Sequence, residues 1–429
     1  MTYSCELFLY LNNLSLLLQL KVQYAEKSGS QSTMEPLIFR AANRVADAIG
    51  IFKRPLLAAE LIGLAQKRTK LTDFGEWSFE APLKTLLSSY EHEANLSAFG
   101  RIAARWDTLR LLTNLLVLRD AERLHPAILS QPIEKPIFIT GLPRSGTSFL
   151  HDLLGRDRSN LVVHCWETIY PWPRRPPDRR RAKVNRQLAG FARLAPEISA
   201  LHPMTAESPQ ECSEITAHVF TSLRFDTTHH VPSYREWVDS TGHKAAYLFH
   251  QRFLQHLQYQ KGPGPWILKC PDHVFALDAI RAVYPDARFV FVHRNPLEVL
   301  PSVAKLTEVL RRPFTRRIDR LQVGRQVSER WAQGAAILVE ASSGKFQESD
   351  TVINIKFQSL IRDPLRCIAA LYERFGMVLS TEATARIQSA PSGSSEPART
   401  HGKSHLEDFA LDAFVERRRY RDYMGCFSV

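Results

Sequence analysis

Ile137-Phe138-Ile139-Thr140-Gly141-Leu142-Pro143-Arg144-Ser145-Gly146-Thr147-Ser148 is the stretch on which the fold is decided. Its first three residues form a short apolar run, opened by Pro136 and stopped by Gly141 and Pro143, as expected of a fully buried parallel strand. Directly after it, Gly141 and Gly146 followed by hydroxyl residues reproduce the spacing of a phosphate-binding loop. Thr147 stands where a nucleoside-triphosphate hydrolase needs lysine. The loop therefore lacks the point charge that phosphoryl transfer places on the β- and γ-phosphates. Anion binding survives that loss, because backbone N–H groups and the helix N-terminus still face the ligand. Arg144, Ser145, Gly146, Thr147 and Ser148 are the candidate contacts. A tight strand-to-helix turn that binds nothing is the bland alternative.

Outward from this loop, strands are expected at Leu161–His164, Trp266–Lys269, Ala287–His293 and Thr351–Phe357, with helical stretches between them. That alternation predicts an α/β fold: a phosphate-loop-like, three-layer core around a central parallel sheet. Residues 34–130 carry a helical pattern without strand-like alternation and form the expected N-terminal helical lobe. Residues 131–429 form the second expected domain. It contains a helix-rich insertion over about 174–262 and a C-terminal loop and tail over about 389–429, with a charged helix from about Leu406. Residues 1–33 are read as a dispensable extension. Leu7–Val22 is leucine-rich but broken by Asn12, Asn13 and Gln19, and no basic segment precedes it, which argues against a signal peptide.

Composition narrows the function classes. The 429 residues hold 56 Lys+Arg against 44 Asp+Glu, a formal charge of +12, which favours an anionic ligand. Hydrophobic residues at 44% and charged residues at 23% exclude a disordered chain. No stretch approaches the length of an uninterrupted membrane-spanning helix. The six cysteines stand far apart, so they read as reduced thiols in a cytoplasmic protein.

A second anion signal lies further along. The apolar run Phe289-Val290-Phe291-Val292 ends in His293-Arg294-Asn295-Pro296, and Ser302 follows on the next helix. An arginine at the carboxyl end of a core strand sits where open α/β sheets bind ligands. Arg294 and Ser302 together suit a second phosphate; the alternative is an Arg294–Glu298 pair. Two phosphate grips, one without lysine, suit a nucleotide phosphorylated at both ends of its ribose.

In these motifs the chain resembles the superfamily of sulfotransferases that use 3′-phosphoadenosine-5′-phosphosulfate (PAPS), over about Pro136 to Phe375. GLPRSGTS resembles the loop that cradles the 5′-phosphosulfate, and FVFVHRNPLEVLPS resembles the 3′-phosphate element. The resemblance implies a PAPS-dependent transferase acting on a hydroxyl, less readily an amine, of a small-molecule, lipid or saccharide acceptor. It implies Glu167 as general base by its likeness to tyrosylprotein sulfotransferases, with His164 as the competing base. It implies Lys269 on the bridging oxygen of the leaving phosphate, and Lys403 in a lid over the nucleotide. At Phe357, where many relatives carry tyrosine, one adenine-side hydrogen bond is missing. No metal is expected. Glu207, Glu211 and Glu214 form an acidic group that lacks a histidine or cysteine to complete a ligand set, and a solvated or acceptor-facing stripe is expected there. The arginine run 174–181 is expected to be a solvated face. A nucleotide kinase or NTPase is the first rival, disfavoured by Thr147. A basic nucleic-acid module is the second, disfavoured because Arg174–Arg186 holds no interleaved aromatics.

Overall fold

The alternation of apolar side chains along each strand explains the layers. On β1 (Ile137–Gly141), Phe138 joins a large core on one face of the sheet, while Ile137 and Ile139 join a smaller core on the other. Residues 55–173, 176–194, 204–343, 350–389 and 404–429 are described by the computed structural model. The expected extension 1–33, the start of the helical lobe and Lys403 lie outside these residues.

In chain order, α1 (Ala58–Thr69), α2 (Glu80–His92) and α3 (Ala98–Leu124) precede β1. The phosphate loop then opens α4 (Thr147–Gly155), and α5 (Cys165–Ile169) follows. The insertion holds α6 (Arg180–Leu194), α7 (Ser213–Thr216), α8 (Arg224–Thr228), α9 (Pro232–Thr241) and α10 (Lys244–Lys261). Next come β2 (Ile267–Lys269), α11 (Leu277–Val283), β3 (Arg288–His293), α12 (Pro296–Arg311) and α13 (Arg320–Ser343). The chain finishes with β4 (Val352–Lys356), α14 (Phe357–Arg362), α15 (Pro364–Arg374), α16 (Thr381–Gln388), α17 (Ala413–Arg419) and α18 (Arg421–Phe427).

The four strands form one parallel sheet in the order β2-β1-β3-β4. Phe138, Leu268, Phe289 and Phe291 face the large core, filled by α2, α3, α10 and α13. Ile139, Ile267, Val290 and Val292 face the smaller core, closed by Leu150, Leu153 and Leu154 of α4 and by Ile368 and Leu371 of α15. This is the three-layer arrangement expected from the sequence. The helices of the N-terminal region share the large core with the sheet, and α3 is pinned to the insertion by buried charge. Arg110 and Arg224 bracket Asp107 at 2.6 and 2.5 Å. Burial pushes the Asp107 carboxyl up, but the two guanidiniums outweigh it and hold it well below the usual range.

One strand expectation needs correction. Leu161–His164 forms isolated bridges, Leu161 with Trp266 and His164 with Pro209, rather than a strand of the sheet. Its chain turns away after Leu161 because His164 caps α5. The tail differs too. Leu406–Phe409 is a single 3-10 turn, and the helix begins only at Ala413, after Asp412 caps it. Among the described residues, no helix is long and apolar enough to cross a membrane.

Candidate functional site

The loop between β1 and α4 depends on backbone that few residues tolerate. Gly146 caps α4 at φ +95°, and a Cβ there would stand 2.6 Å from Cδ2 of Phe357. Arg144 itself holds φ +65°. The first turn of α4 presents N–H groups that no helical carbonyl can satisfy. Within the loop, the buried Ser145 Oγ has no hydrogen-bond partner. Thr147 is buried and Ser148 exposed.

Arg144 donates from Nε to Ser302 Oγ at 3.1 Å. Arg294, one residue beyond β3, donates from Nη1 to the Arg144 carbonyl at 3.2 Å, and its guanidinium lies 4.2 Å from the Phe357 ring centre. Arg144 therefore joins Arg294 and Ser302 in one cluster. Burial, and the positive charge of Arg294 beside it, lower the Arg144 pKa. Arg294 also pairs with Glu298 at 3.1 Å, the alternative that the sequence left open for this arginine. Two guanidiniums held together beside a helix N-terminus and an unsatisfied hydroxyl fit a polyanionic ligand.

Lys269 ends β2 beside β1, where Cys270 N donates to the Ile139 carbonyl and Thr140 Oγ1 to that of Pro271. Its side chain is buried, and Nζ lies 2.5 Å from Glu211 Oε1. The Glu211 side chain remains 34% exposed, so it has a surface to offer a substrate. In the sequence Glu211 is one of three spaced glutamates, and its contact with a lysine 58 positions away carries no local signal. The stripe keeps solvent contact at Glu207 and Glu211, but its carboxylates are ion-paired. Glu207 pairs with Arg181, and Glu214 lies 3.4 Å from Arg224. Beside Lys269, Asp272 is half-buried; burial, then the Glu211 charge, push its carboxyl up to about 7.

Glu167 sits one turn into α5, almost fully buried, in a capping box with His164. Its Oε2 accepts from His164 N at 2.8 Å and lies 2.8 Å from Lys261 Nζ and 3.2 Å from His164 Nδ1. Burial alone would raise its pKa; the His164 hydrogen bonds and the Lys261 ammonium override that and lower it. In the basic run, Arg179 and Arg181 are exposed, Arg181 within an ion pair to Glu207. Arg180 binds Asp178 and covers the Trp166 ring at 4.6 Å, which corrects the solvated-face reading for this residue. His151 is buried with Nε2 at 3.1 Å from the Ile267 carbonyl, and burial pushes its pKa down to about 3. Among the described residues, no group of histidine, cysteine and carboxylate side chains is placed to hold a metal.

The family profile described as "Sulfotransferase family" matches residues 136–381, more than half of the chain and the whole of this site. The chain belongs to the sulfotransferase family. It is a transferase that moves a sulfuryl group. The omega-hydroxy-beta-dihydromenaquinone-9 sulfotransferase Stf3 of Mycobacterium bovis is 23% identical to it over 342 residues, covering 72% of this chain and 82% of that protein. The crystal structure of sulfotransferase STF1 from Mycobacterium tuberculosis superposes with a TM-score of 0.76 at 28% identity, covering 85% of this chain and 98% of that one. Sulfotransferase STF9 from Mycobacterium avium gives a TM-score of 0.76 at 22% identity, over 87% and 97% of the two chains, and shares the fold.

Proposed function

We propose that this sulfotransferase takes the sulfuryl group from PAPS and passes it to a hydroxyl of a small-molecule or lipid acceptor. The convergence of Arg144, Arg294 and Ser302 beside the unpartnered Ser145 hydroxyl carries the donor reading. Those residues, with the backbone of Gly146, Thr147 and Ser148, would hold a nucleotide bearing phosphates at both ends, and Lys403 would close over it. The mycobacterial relative named for an omega-hydroxylated menaquinone supports an alcohol on a long apolar chain as acceptor. The described cysteines, all free thiols, support a reducing, cytoplasmic compartment.

Transfer is an in-line displacement: the acceptor oxygen bonds to sulfur as the bond from sulfur to the 5′-phosphate oxygen breaks. Lys269 would take the growing charge on that leaving oxygen. The acceptor proton needs a base that the acceptor can touch. Glu211 meets that requirement through its exposed edge and its contact with Lys269. Glu167, engaged by His164 and Lys261, is the second candidate, and its place after the Leu161–His164 segment is what favours it.

Isothermal titration with adenosine 3′,5′-bisphosphate in the absence of magnesium tests the donor site. Binding of the bisphosphate together with transfer from radiolabelled PAPS to a prenyl alcohol supports the reading. Tight Mg-ATP binding without bisphosphate binding overturns it.

A further inference from the structure

The tail helix α17 has two contrasting faces. Its inner face rests on α13: Ser328 Oγ donates to Glu416 Oε2 at 2.6 Å, and Tyr420 just beyond α17 donates to the Ser328 carbonyl at 2.9 Å. One turn earlier on α13, the Phe409 carbonyl stands 2.2 Å from where a Cβ of Gly324 would be, so only glycine permits this approach. The outer face carries Phe414, 76% exposed, and Val415, 50% exposed. Arg417 and Arg418, both exposed, follow Phe414 by three and four residues and so share its side of the helix. Leu321, 61% exposed, lies one turn before Gly324, and exposed Arg325 follows Leu321 by four residues.

The acidic groups of α17 and its cap are used elsewhere. Glu416 is buried against Ser328 and Arg419, and Asp412 caps the helix by accepting from the Phe414 and Val415 N–H groups at 2.9 Å. What faces outward is an aromatic ring, aliphatic side chains and arginines. A protruding apolar tip flanked by cations matches an anionic bilayer, where the tips enter the headgroup boundary and the guanidiniums meet lipid phosphates. We propose that this face, built from Leu321, Arg325, Phe414, Val415, Arg417 and Arg418, docks the protein on an anionic lipid surface. The tail is also tied to the nucleotide grip. The His293 ring, one residue before Arg294, stacks on Phe427 with centroids 3.6 Å apart, and its Nδ1 lies 3.0 Å from Tyr423 Oη. A docked tail thus holds the sulfuryl-transfer site close to the bilayer. The docking itself does not depend on which acceptor is used.

Co-sedimentation of the full chain with phosphatidylcholine vesicles, with and without phosphatidylglycerol, tests this. The wild type is expected to bind the mixed vesicles and not the pure phosphatidylcholine ones. Arg417→Gln/Arg418→Gln is expected to lower partitioning roughly thirtyfold. Phe414→Ser/Val415→Ser is expected to lower it by about tenfold or more. Bisphosphate affinity, measured on both variants, should equal that of the wild type and shows that each remains folded. The proposal is overturned by a wild type that ignores anionic vesicles, by equal binding to both vesicle types, or by variants that bind as the wild type does. A lipid-free dimer that Phe414→Ser dissociates assigns the face to self-association and overturns it equally.

Discussion

Lys269 is held by Glu211 at 2.5 Å, so the ammonium that would meet the leaving phosphate already has an anionic partner. Donor binding must compete with that carboxylate, and each shift of Lys269 toward the donor frees Glu211 to accept a proton. Glu211→Gln removes both the competitor and the carboxylate proposed as the base. Turnover should fall about 100- to 10,000-fold, while bisphosphate affinity stays level or tightens. A variant with wild-type turnover excludes Glu211 as the base.

Arg144 and Arg294 form one grip, so their losses should not be independent. Arg144→Ala or Arg294→Ala removes charge-assisted contacts of about 1.5–3 kcal/mol, one to two decades in bisphosphate affinity. The double variant should lose less than the sum, because Arg294 donates to the Arg144 main chain and Arg144 supports Ser302. Titration of the two single variants and the double variant gives the coupling directly. Additive losses would separate the two arginines into unconnected sites.

Gly146→Ala tests the loop backbone. The left-handed φ opposes any Cβ, and this one also meets the Phe357 ring. The combined strain should destabilise the protein by about 1–3 kcal/mol and weaken bisphosphate binding with it. Thermal melting and titration of the same preparation check both effects, and an unaffected melting temperature would show that the turn can relax.

The two central strands were legible because each is local: Ile137–Gly141 and Phe289–His293 are apolar runs ended by residues that stop a strand. The edge segment Leu161–His164 misled for a physical reason. Its apolar pattern is that of a strand, but the cap that His164 supplies to α5 takes the chain out of the sheet. The partners of the site residues were not legible. Glu211 with Lys269, Lys261 with Glu167, and Arg144 with Ser302 are contacts across 58, 94 and 158 positions, made by the fold alone. No periodicity or spacing encodes them.

Asp272 predicts a pH dependence of stability. Its carboxyl is raised to about 7 in the folded protein, by burial first and then by Glu211 and Asp226, with Arg330 opposing. Unfolded, it titrates near 4. The folded state therefore holds the proton more tightly, and this contribution to stability is fully present below about pH 4 and lost as pH rises through about 7. Asp272→Asn should melt above the wild type at pH 8, with the difference shrinking toward zero near pH 4. A melting difference that does not change with pH would mean that Asp272 titrates normally.

Glu167→Gln separates a base from a cap. The side chain is 3% exposed, and one of its oxygens serves the His164 N–H and the Lys261 ammonium together. Glutamine can still accept from His164 N, but it leaves the Lys261 charge without its partner. Lys261 would keep its hydrogen bond to the Val162 carbonyl, at 2.7 Å, which limits the damage. If Glu167 is a positioning residue, Glu167→Gln should lower stability by about 1–3 kcal/mol and change turnover little beyond that loss. Lys261→Met should reproduce the same stability defect, since it breaks the same pair from the other side. If Glu167 is the base, turnover should fall about 100- to 10,000-fold with bisphosphate affinity intact, and Lys261→Met should not imitate that fall. His164→Ala measured beside them tests the remaining base, because its imidazole is 28% exposed and lies next to both groups. Its capping box predicts a stability defect in any case, so only turnover corrected for folded fraction assigns the proton to the histidine.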